Sequence, residues 1–175
     1  MSYADLERAP EDGRRYELYD GEVYVVPAPV PRHQVVQYGL AEVLRAFCRE
    51  HGGFAVGSPI DIVFSEYDVA QPDVILFGPA RAHFVALDRA IRHAPDLCVE
   101  VLSPSTEAAD RGRKLQMFAR YGVPEYWLVD PVGETVEVLR LEAGTYVIAQ
   151  HASREDDVTS SAVPGLRVPL RAVFP

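Results

Sequence analysis

The centre of the chain contains Leu97-Cys98-Val99-Glu100-Val101-Leu102, an apolar run in which only Glu100 carries a charge. A short, nearly continuous apolar run of this kind is typical of a central strand that is covered on both faces. A buried carboxylate is costly unless it is paired, hydrogen-bonded or bound to a cation. The sequence therefore predicts a partner for Glu100, which is either a bound metal ion or an arginine in a buried salt bridge.

A second acidic residue stands at the start of another apolar run. Asp73 follows Pro72 and precedes Val74-Ile75-Leu76-Phe77, which also predicts a buried strand. Two carboxylates together with a backbone carbonyl and waters suit Mg²⁺ or Mn²⁺, because these hard cations prefer oxygen ligands. Asp73 is thus a candidate ligand for the same metal ion as Glu100, and the alternative is a residue that caps a turn.

Lys114 is the one lysine in a chain that otherwise uses arginine for its basic residues. Lysine is a compact charge whose pKa can be tuned, whereas arginine is always protonated, so the exception favours a position that needs lysine chemistry. Lys114 would lie close to the strand end if its helix began at Asp110, a good N-cap residue by type. If the helix began at Ser105, Lys114 would lie about 13 Å along the axis. We favour Asp110 as N-cap, and the alternative is a solvated surface lysine.

Length and composition predict one globular domain over residues 1–175, with 48% hydrophobic and 25% charged residues. No apolar run approaches the about 20 residues of a membrane span, and the acidic N-terminus lacks an export signal, so a cytoplasmic protein is expected. The net charge of −9 argues against a general nucleic-acid-binding protein. It is compatible with an enzyme that has acidic metal ligands.

The order of predicted elements indicates a mixed α/β fold built around one sheet with helices on its faces. Asp20-Gly21 between two β-rich runs predicts an N-terminal hairpin, and Glu142-Ala143-Gly144 predicts a C-terminal one. Apolar residues at helical spacing predict a helix over residues 32–50, and residues 54–77 are predicted as successive strands. The tail from Ser153 to Pro175 is expected to cover an edge of the sheet.

Several motifs, in this order and spacing, resemble the Uma-two family of restriction endonucleases, which belongs to the PD-(D/E)XK nuclease superfamily. The resemblance covers roughly residues 4–174. It is carried by Tyr16-Glu17-Leu18 with Asp20-Gly21-Glu22, His33, Gln71-Pro72-Asp73, Val99-Glu100-Val101-Leu102-Ser103-Pro104-Ser105-Thr106, Asp110-Arg111-Gly112-Arg113-Lys114, Tyr121-Gly122-Val123-Pro124-Glu125-Tyr126-Trp127 and Pro164-Gly165-Leu166.

The resemblance implies a restriction-endonuclease-like core with a metal-dependent active site. Asp73 and Glu100 would be metal ligands together with Val101, the last through its backbone carbonyl, and Lys114 would be the catalytic lysine. In the superfamily the lysine usually stands two residues after the acid, where this chain has Leu102, so the family supplies it from the following helix.

Glu22 and His33 are implied as supporting site residues. From the residues alone, Glu22 could equally be a hairpin residue paired with an arginine, and His33 a residue at the start of a helix.

The predicted function is a Mg²⁺-dependent (or Mn²⁺-dependent) endonuclease that hydrolyses DNA phosphodiester bonds with a metal-activated water. DNA is the expected substrate, a homodimer is expected from the resemblance, and no membrane association is expected. The alternative is a catalytically inactive protein of nuclease fold that serves as a binding or assembly module.

Overall fold

The computed structural model describes residues 1–10 and 12–175. In chain order the helices are α1 (Tyr3–Glu7), α2 (Pro31–His51), α3 (Glu107–Ala109) and α4 (Leu115–Arg120), and a π-helical turn (Asp110–Lys114) joins the last two. The strands are β1 (Arg15–Tyr19), β2 (Glu22–Val26), β3 (Phe54–Gly57), β4 (Ile62–Val63), β5 (Val69–Ala70), β6 (Val74–Phe77), β7 (Leu97–Val101), β8 (Glu125–Asp130), β9 (Thr135–Glu142), β10 (Thr145–Ser153), β11 (Asp157–Thr159) and β12 (Arg167–Pro169).

The main sheet has six strands in the order β10-β9-β8-β7-β6-β3, and it is mixed because β7 and β8 run parallel while the other neighbours are antiparallel. The predicted mixed α/β class is therefore confirmed. β7 lies inside the sheet and all five of its residues are buried, as its apolar run predicts. Glu100 consequently sits in the interior of the molecule.

Two cores cover the two faces of this sheet. On β7, Val99 and Val101 belong to the core that includes residues of α2, whereas Cys98 belongs to the core that includes Met117 and Phe118 of α4. Side chains alternate along a strand, so Glu100 points toward the α4 face. The C-terminal tail, expected at a sheet edge, contacts the edge strand β10, whose Gln150 side chain donates to the Asp157 carbonyl over 2.8 Å. It also adds apolar residues such as Val173 to the core on the α2 face.

The prediction of one sheet was wrong, because a second sheet of four strands has the order β2-β1-β5-β4. The N-terminal hairpin forms as predicted, with Asp20 and Gly21 both at positive φ in its turn. Its strand β1 pairs with β5 at Leu18↔Val69, and the short strands β4 and β5 pair with each other rather than with the main sheet. This second sheet brings Glu17 of β1 to Lys114 of the π-helical turn.

The C-terminal hairpin forms between β9 and β10, as its turn residues predict. Ala143 and Gly144 take the positive φ values that the turn requires. Among the described helices, none combines the length and the apolar character that crossing a membrane requires.

Candidate active site

Glu100 and Lys114, which the sequence singles out separately, are in direct contact. Glu100 is 3% exposed and Lys114 is 6% exposed. The Lys114 Nζ donates a hydrogen bond to Glu100 Oε1 over 2.9 Å. The buried carboxylate therefore has a partner within the protein, but that partner is this lysine and not the arginine that was the predicted alternative to a metal ion.

Two further carboxylates surround the same ammonium group. Glu17 Oε1 lies 3.1 Å and Asp110 Oδ1 lies 3.4 Å from Lys114 Nζ, and both side chains are buried. Glu17 comes from β1 of the four-stranded sheet, and Asp110 lies four residues before Lys114 in the π-helical turn. One ammonium group thus faces three carboxylates that come from three different parts of the chain.

The prediction that Asp110 is the N-cap was wrong. The helical segment begins earlier, at Glu107, where the Ser103 carbonyl accepts hydrogen bonds from the N–H groups of Thr106 and Glu107. The Asp110 side chain is therefore free to turn inward, and Lys114 lies on the same side because residues four apart share a helix face. Lys114 reaches Glu100 because the helix packs across the sheet face to which Glu100 points.

Asp73 lies beside this cluster, at the start of β6. Its Oδ2 accepts a hydrogen bond from the Val101 N–H over 2.8 Å and lies 3.1 Å from His33 Nε2. The Gln37 side chain of α2 donates to the Asp73 carbonyl over 2.9 Å. The structure thus places His33 and the Val101 N–H beside the Asp73 carboxylate.

Glu22 is not brought to this cluster. Its side chain is exposed, and Glu22 Oε2 accepts a hydrogen bond from the Tyr24 hydroxyl over 2.7 Å. Its position next to the hairpin turn directs it to solvent, and Glu17 of the same hairpin reaches Lys114 in its place. The expectation for Glu22 as a site residue therefore needs correction.

Two small pockets, of about 30 and 50 Å³, open onto the cluster. Both are lined by Asp110 and Lys114, and Val26 and Pro27 also line both. Asp73, Glu100 and His33 line the smaller pocket only. The pockets are large enough for a few waters or an ion and too small for a nucleotide.

Burial and mutual repulsion perturb the ionisation of the cluster. Burial raises the pKa of Glu100 well above its usual value, and the nearby carboxylates of Asp110, Asp73 and Glu17 add to this while Lys114 opposes it. Burial also raises the pKa of Asp110, against the effect of Lys114. Burial works against the Lys114 ammonium, yet the surrounding carboxylates outweigh it and hold the pKa of Lys114 well above its usual value. Lys114 is therefore charged, and the cluster has too few positive charges for its carboxylates.

The donor atoms fit a hard divalent cation by chemistry and charge. Asp73 and Glu100 offer carboxylate oxygens to the same pocket, and neither Asp110 oxygen nor His33 Nδ1 has a hydrogen-bond partner among the described residues. Within that part of the chain no three Asp, Glu, His or Cys side chains are arranged to hold an ion together. An ion here would rely on two carboxylates, with a backbone carbonyl and waters as its other ligands.

Sequence reasoning missed Glu17 and assigned Asp110 a different role. Glu17 is two residues from Arg15 on a short strand, so the two side chains share a face, but this spacing does not indicate a contact with Lys114. Its contact with Lys114 joins residues that are far apart in the chain and belong to different sheets. The pattern of charges along the sequence therefore could not reveal it.

Comparisons with known proteins show which proteins this chain is similar to. A family model described as "Putative restriction endonuclease", Uma2, matches residues 3–171. An uncharacterised protein of Synechocystis sp. (strain ATCC 27184 / PCC 6803 / Kazusa) is 29% identical over 134 residues, which are 71% of this chain. The match spans 65% of the length of that relative.

A crystal structure described as "a putative nuclease belonging to DUF820", from Anabaena variabilis ATCC 29413, has the same fold. It superposes with a TM-score of 0.77, covering 99% of this chain and 97% of the other at 19% identity. The expected nuclease-like fold is therefore confirmed. Because the family model covers nearly the whole chain, including the segments that carry Asp73, Glu100 and Lys114, this protein belongs to the Uma2 (Uma-two) family.

Proposed function

We propose that this chain is a Mg²⁺-dependent (or Mn²⁺-dependent) endonuclease that hydrolyses phosphodiester bonds of DNA. The observation that carries the proposal is the buried cluster in which Lys114 faces Glu100, Glu17 and Asp110, with Asp73 alongside. Burying so many carboxylates around one ammonium group is costly. A divalent cation would offset that cost, and membership of the Uma2 family supports a nuclease.

Asp73 and Glu100 would hold the ion, with the backbone carbonyl of Val101 as a third ligand. A bound divalent ion supplies a Lewis acid and lowers the pKa of a bound water. His33 and the Val101 N–H fix the Asp73 carboxylate in one orientation, since both lie within hydrogen-bond distance of Oδ2. The two groups act as supporting contacts that keep Asp73 directed into the pocket.

Lys114 would supply positive charge to the reacting phosphate. Its ammonium group is charged and lines both pockets, so it can hold a phosphate oxygen or orient the attacking water. Glu17 and Asp110 approach Nζ within 3.1 and 3.4 Å and restrict where it lies. A positioned charge in a site that excludes water stabilises developing negative charge better than the same charge in solvent.

Cleavage of supercoiled plasmid DNA tests this proposal. We expect Mg²⁺- or Mn²⁺-dependent nicking by the wild type, and a loss of about 10²–10³-fold in Asp73→Ala and in Glu100→Ala. Glu22→Ala, which changes an exposed carboxylate outside the cluster, is the control and should cleave normally. Equal activity in all four proteins would show that a contaminant cuts the DNA and would refute the assignment.

The same proposal includes features that extend beyond the cluster. Residues 1–175 would act as one endonuclease-like domain in the cytoplasm, and two copies would associate so that each cuts one strand of a duplex. Sedimentation of the purified protein would show a dimer, and a monomer at all concentrations would remove that part of the proposal.

A second candidate is a binding or assembly module that does not cut. One observation favours it: Lys114 is already paired with carboxylates, and Asp73 is already occupied by His33 and the Val101 N–H. In this case, addition of Mg²⁺ or Mn²⁺ would give no binding heat and no change in unfolding temperature. Metal binding without DNA cleavage would favour the module over the enzyme.

A further inference from the structure

The arginines of this chain fall into two groups. Ten of the sixteen form a salt bridge with a carboxylate of a described residue, and these arginines are Arg8, Arg14, Arg81, Arg89, Arg92, Arg111, Arg120, Arg140, Arg154 and Arg167. The other six have no such partner in the part of the chain that the structure describes. In a protein with a net charge of −9, uncompensated arginines mark places where negative charge can be received.

Two of these six line the pockets of the candidate site. Arg15 of β1 lines the smaller pocket, and Arg113 of the π-helical turn lines the larger one. Val26, Pro27 and Lys114 line both pockets, so the two guanidinium groups lie at neighbouring openings.

Both guanidinium groups are held by neutral partners. Arg15 donates to the Pro27 carbonyl over 3.2 Å and to Ser58 Oγ over 3.3 Å. The Arg113 guanidinium carbon lies 3.9 Å from the centre of the Tyr24 ring. These contacts orient the side chains without neutralising them, and an oriented guanidinium binds a phosphate at a lower entropic cost.

We propose that Arg15 and Arg113 bind the backbone phosphates on either side of the scissile phosphate, so that a DNA strand crosses the Val26–Pro27 segment. This inference rests on the proposed function. The pockets are too small to enclose a nucleotide, so the strand lies over the openings and its phosphates meet the two arginines. Lys114 then faces the phosphate between them.

The salt dependence of DNA binding tests this proposal. Anisotropy of a labelled DNA duplex, and of the same single strand, is measured over a range of KCl concentrations, in EDTA and again in Ca²⁺. Arg15→Gln and Arg113→Ala should each weaken binding by roughly fivefold to tenfold at low salt. Each should also reduce the slope of log K against log salt by about 0.9 for a duplex or about 0.7 for a single strand. The larger loss identifies the strand form that the site prefers.

Arg49→Ala is the matched control. Arg49 likewise has no carboxylate partner among the described residues and is exposed, but it lies sixteen positions after His33 in α2, about 24 Å along the helix axis. Its substitution should leave the slope unchanged. Arg15→Gln keeps a hydrogen-bonding group for Pro27 and Ser58, and Arg113→Lys keeps the charge, so these variants separate lost charge from lost packing.

Equal slopes in the wild type, Arg15→Gln and Arg113→Ala would overturn the proposal, as would undetectable binding of both probes by the wild type. A fall in slope without any cleavage would uphold these phosphate contacts and remove the catalytic assignment. Normal cleavage with unchanged slopes would uphold the catalytic assignment and remove these phosphate contacts.

Discussion

Glu100 and Glu125 are buried carboxylates on the neighbouring parallel strands β7 and β8, but their hydrogen-bond donors and their charged neighbours differ. Glu125 accepts hydrogen bonds from four neutral donors: the Ser161 N–H and hydroxyl, the Ala162 N–H and the Trp127 indole. Glu100 accepts one hydrogen bond, from Lys114, and is crowded by the carboxylates of Asp110, Asp73 and Glu17.

These differences in donors and neighbouring charges distinguish a structural carboxylate from a candidate catalytic one when both are buried. Glu125 fastens the C-terminal tail to the sheet, and its negative charge is dispersed over oriented dipoles. Glu100 gathers further negative charge around a small pocket, which stabilises the fold poorly. An arrangement that is unfavourable for folding and points into a pocket is expected where function requires it.

The largest effect on stability is expected from Lys114→Met. Removing the ammonium group leaves Glu100, Glu17 and Asp110 without their shared counter-ion, which should lower the free energy of unfolding by about 3–5 kcal/mol. The loss should shrink at acidic pH, where the carboxylates accept protons instead. Urea denaturation in EDTA measures it.

Arg111→Met is the control for this prediction, because Arg111 lies in the same π-helical turn and pairs with Glu107 and Glu137, neither of which is buried. This substitution should lower the free energy of unfolding by no more than about 1 kcal/mol. A similar loss in both variants would mean that the Lys114 cluster is an ordinary ion pair.

A smaller effect should distinguish the two glutamates through the same isosteric change. In Glu125→Gln the new amide N–H₂ group faces donors that the carboxylate satisfied, so we expect a loss of about 2–3 kcal/mol in the free energy of unfolding. Glu100→Gln keeps an acceptor for Lys114 and relieves repulsion, so stability should change by less than about 1 kcal/mol. Urea denaturation of both variants in EDTA checks the contrast, and the comparison fails if Glu100→Gln is the more damaging change.

The smallest effect concerns Asp61, a half-buried carboxylate outside the cluster. Burial raises the pKa of Asp61, against hydrogen bonds from Gln71 and Tyr3. A carboxyl group whose pKa is higher in the folded state binds more protons there, so its contribution to stability is lost as pH rises through the folded-state pKa. Asp61→Asn should therefore gain stability relative to the wild type as pH rises above the unfolded-state pKa of about 4, by less than about 1 kcal/mol because solvent screens the site. A loss relative to the wild type over that pH range would contradict this account.

The sequence predicts the parts of this molecule that local patterns determine. The apolar run around Glu100 indicates a covered strand, and Asp20-Gly21 indicates a hairpin, because each pattern reports on burial or backbone conformation within a few residues. Asp73, Glu100 and Lys114 stand out as exceptions to such patterns. All three line one pocket.

The remaining features depend on contacts between distant segments. The Glu17 contact with Lys114 requires the second sheet, which forms because the short strand β5 pairs with β1 instead of joining the main sheet. The helix begins at Glu107 because of hydrogen bonds to the Ser103 carbonyl. Asp110 therefore lies within the helical segment and is buried, whereas the sequence predicts it as the N-cap. Neither arrangement has a signature in the linear order of residues.

Calorimetric titration with Mn²⁺ tests most directly whether the Glu100 cluster is a metal site. If it is, the wild type and Glu125→Gln should bind the ion with similar affinity, and both should unfold at a higher temperature in its presence. Glu100→Gln should bind at least about tenfold more weakly. Absence of binding heat and of a thermal shift in the wild type, or equal affinity in all three proteins, would contradict the account.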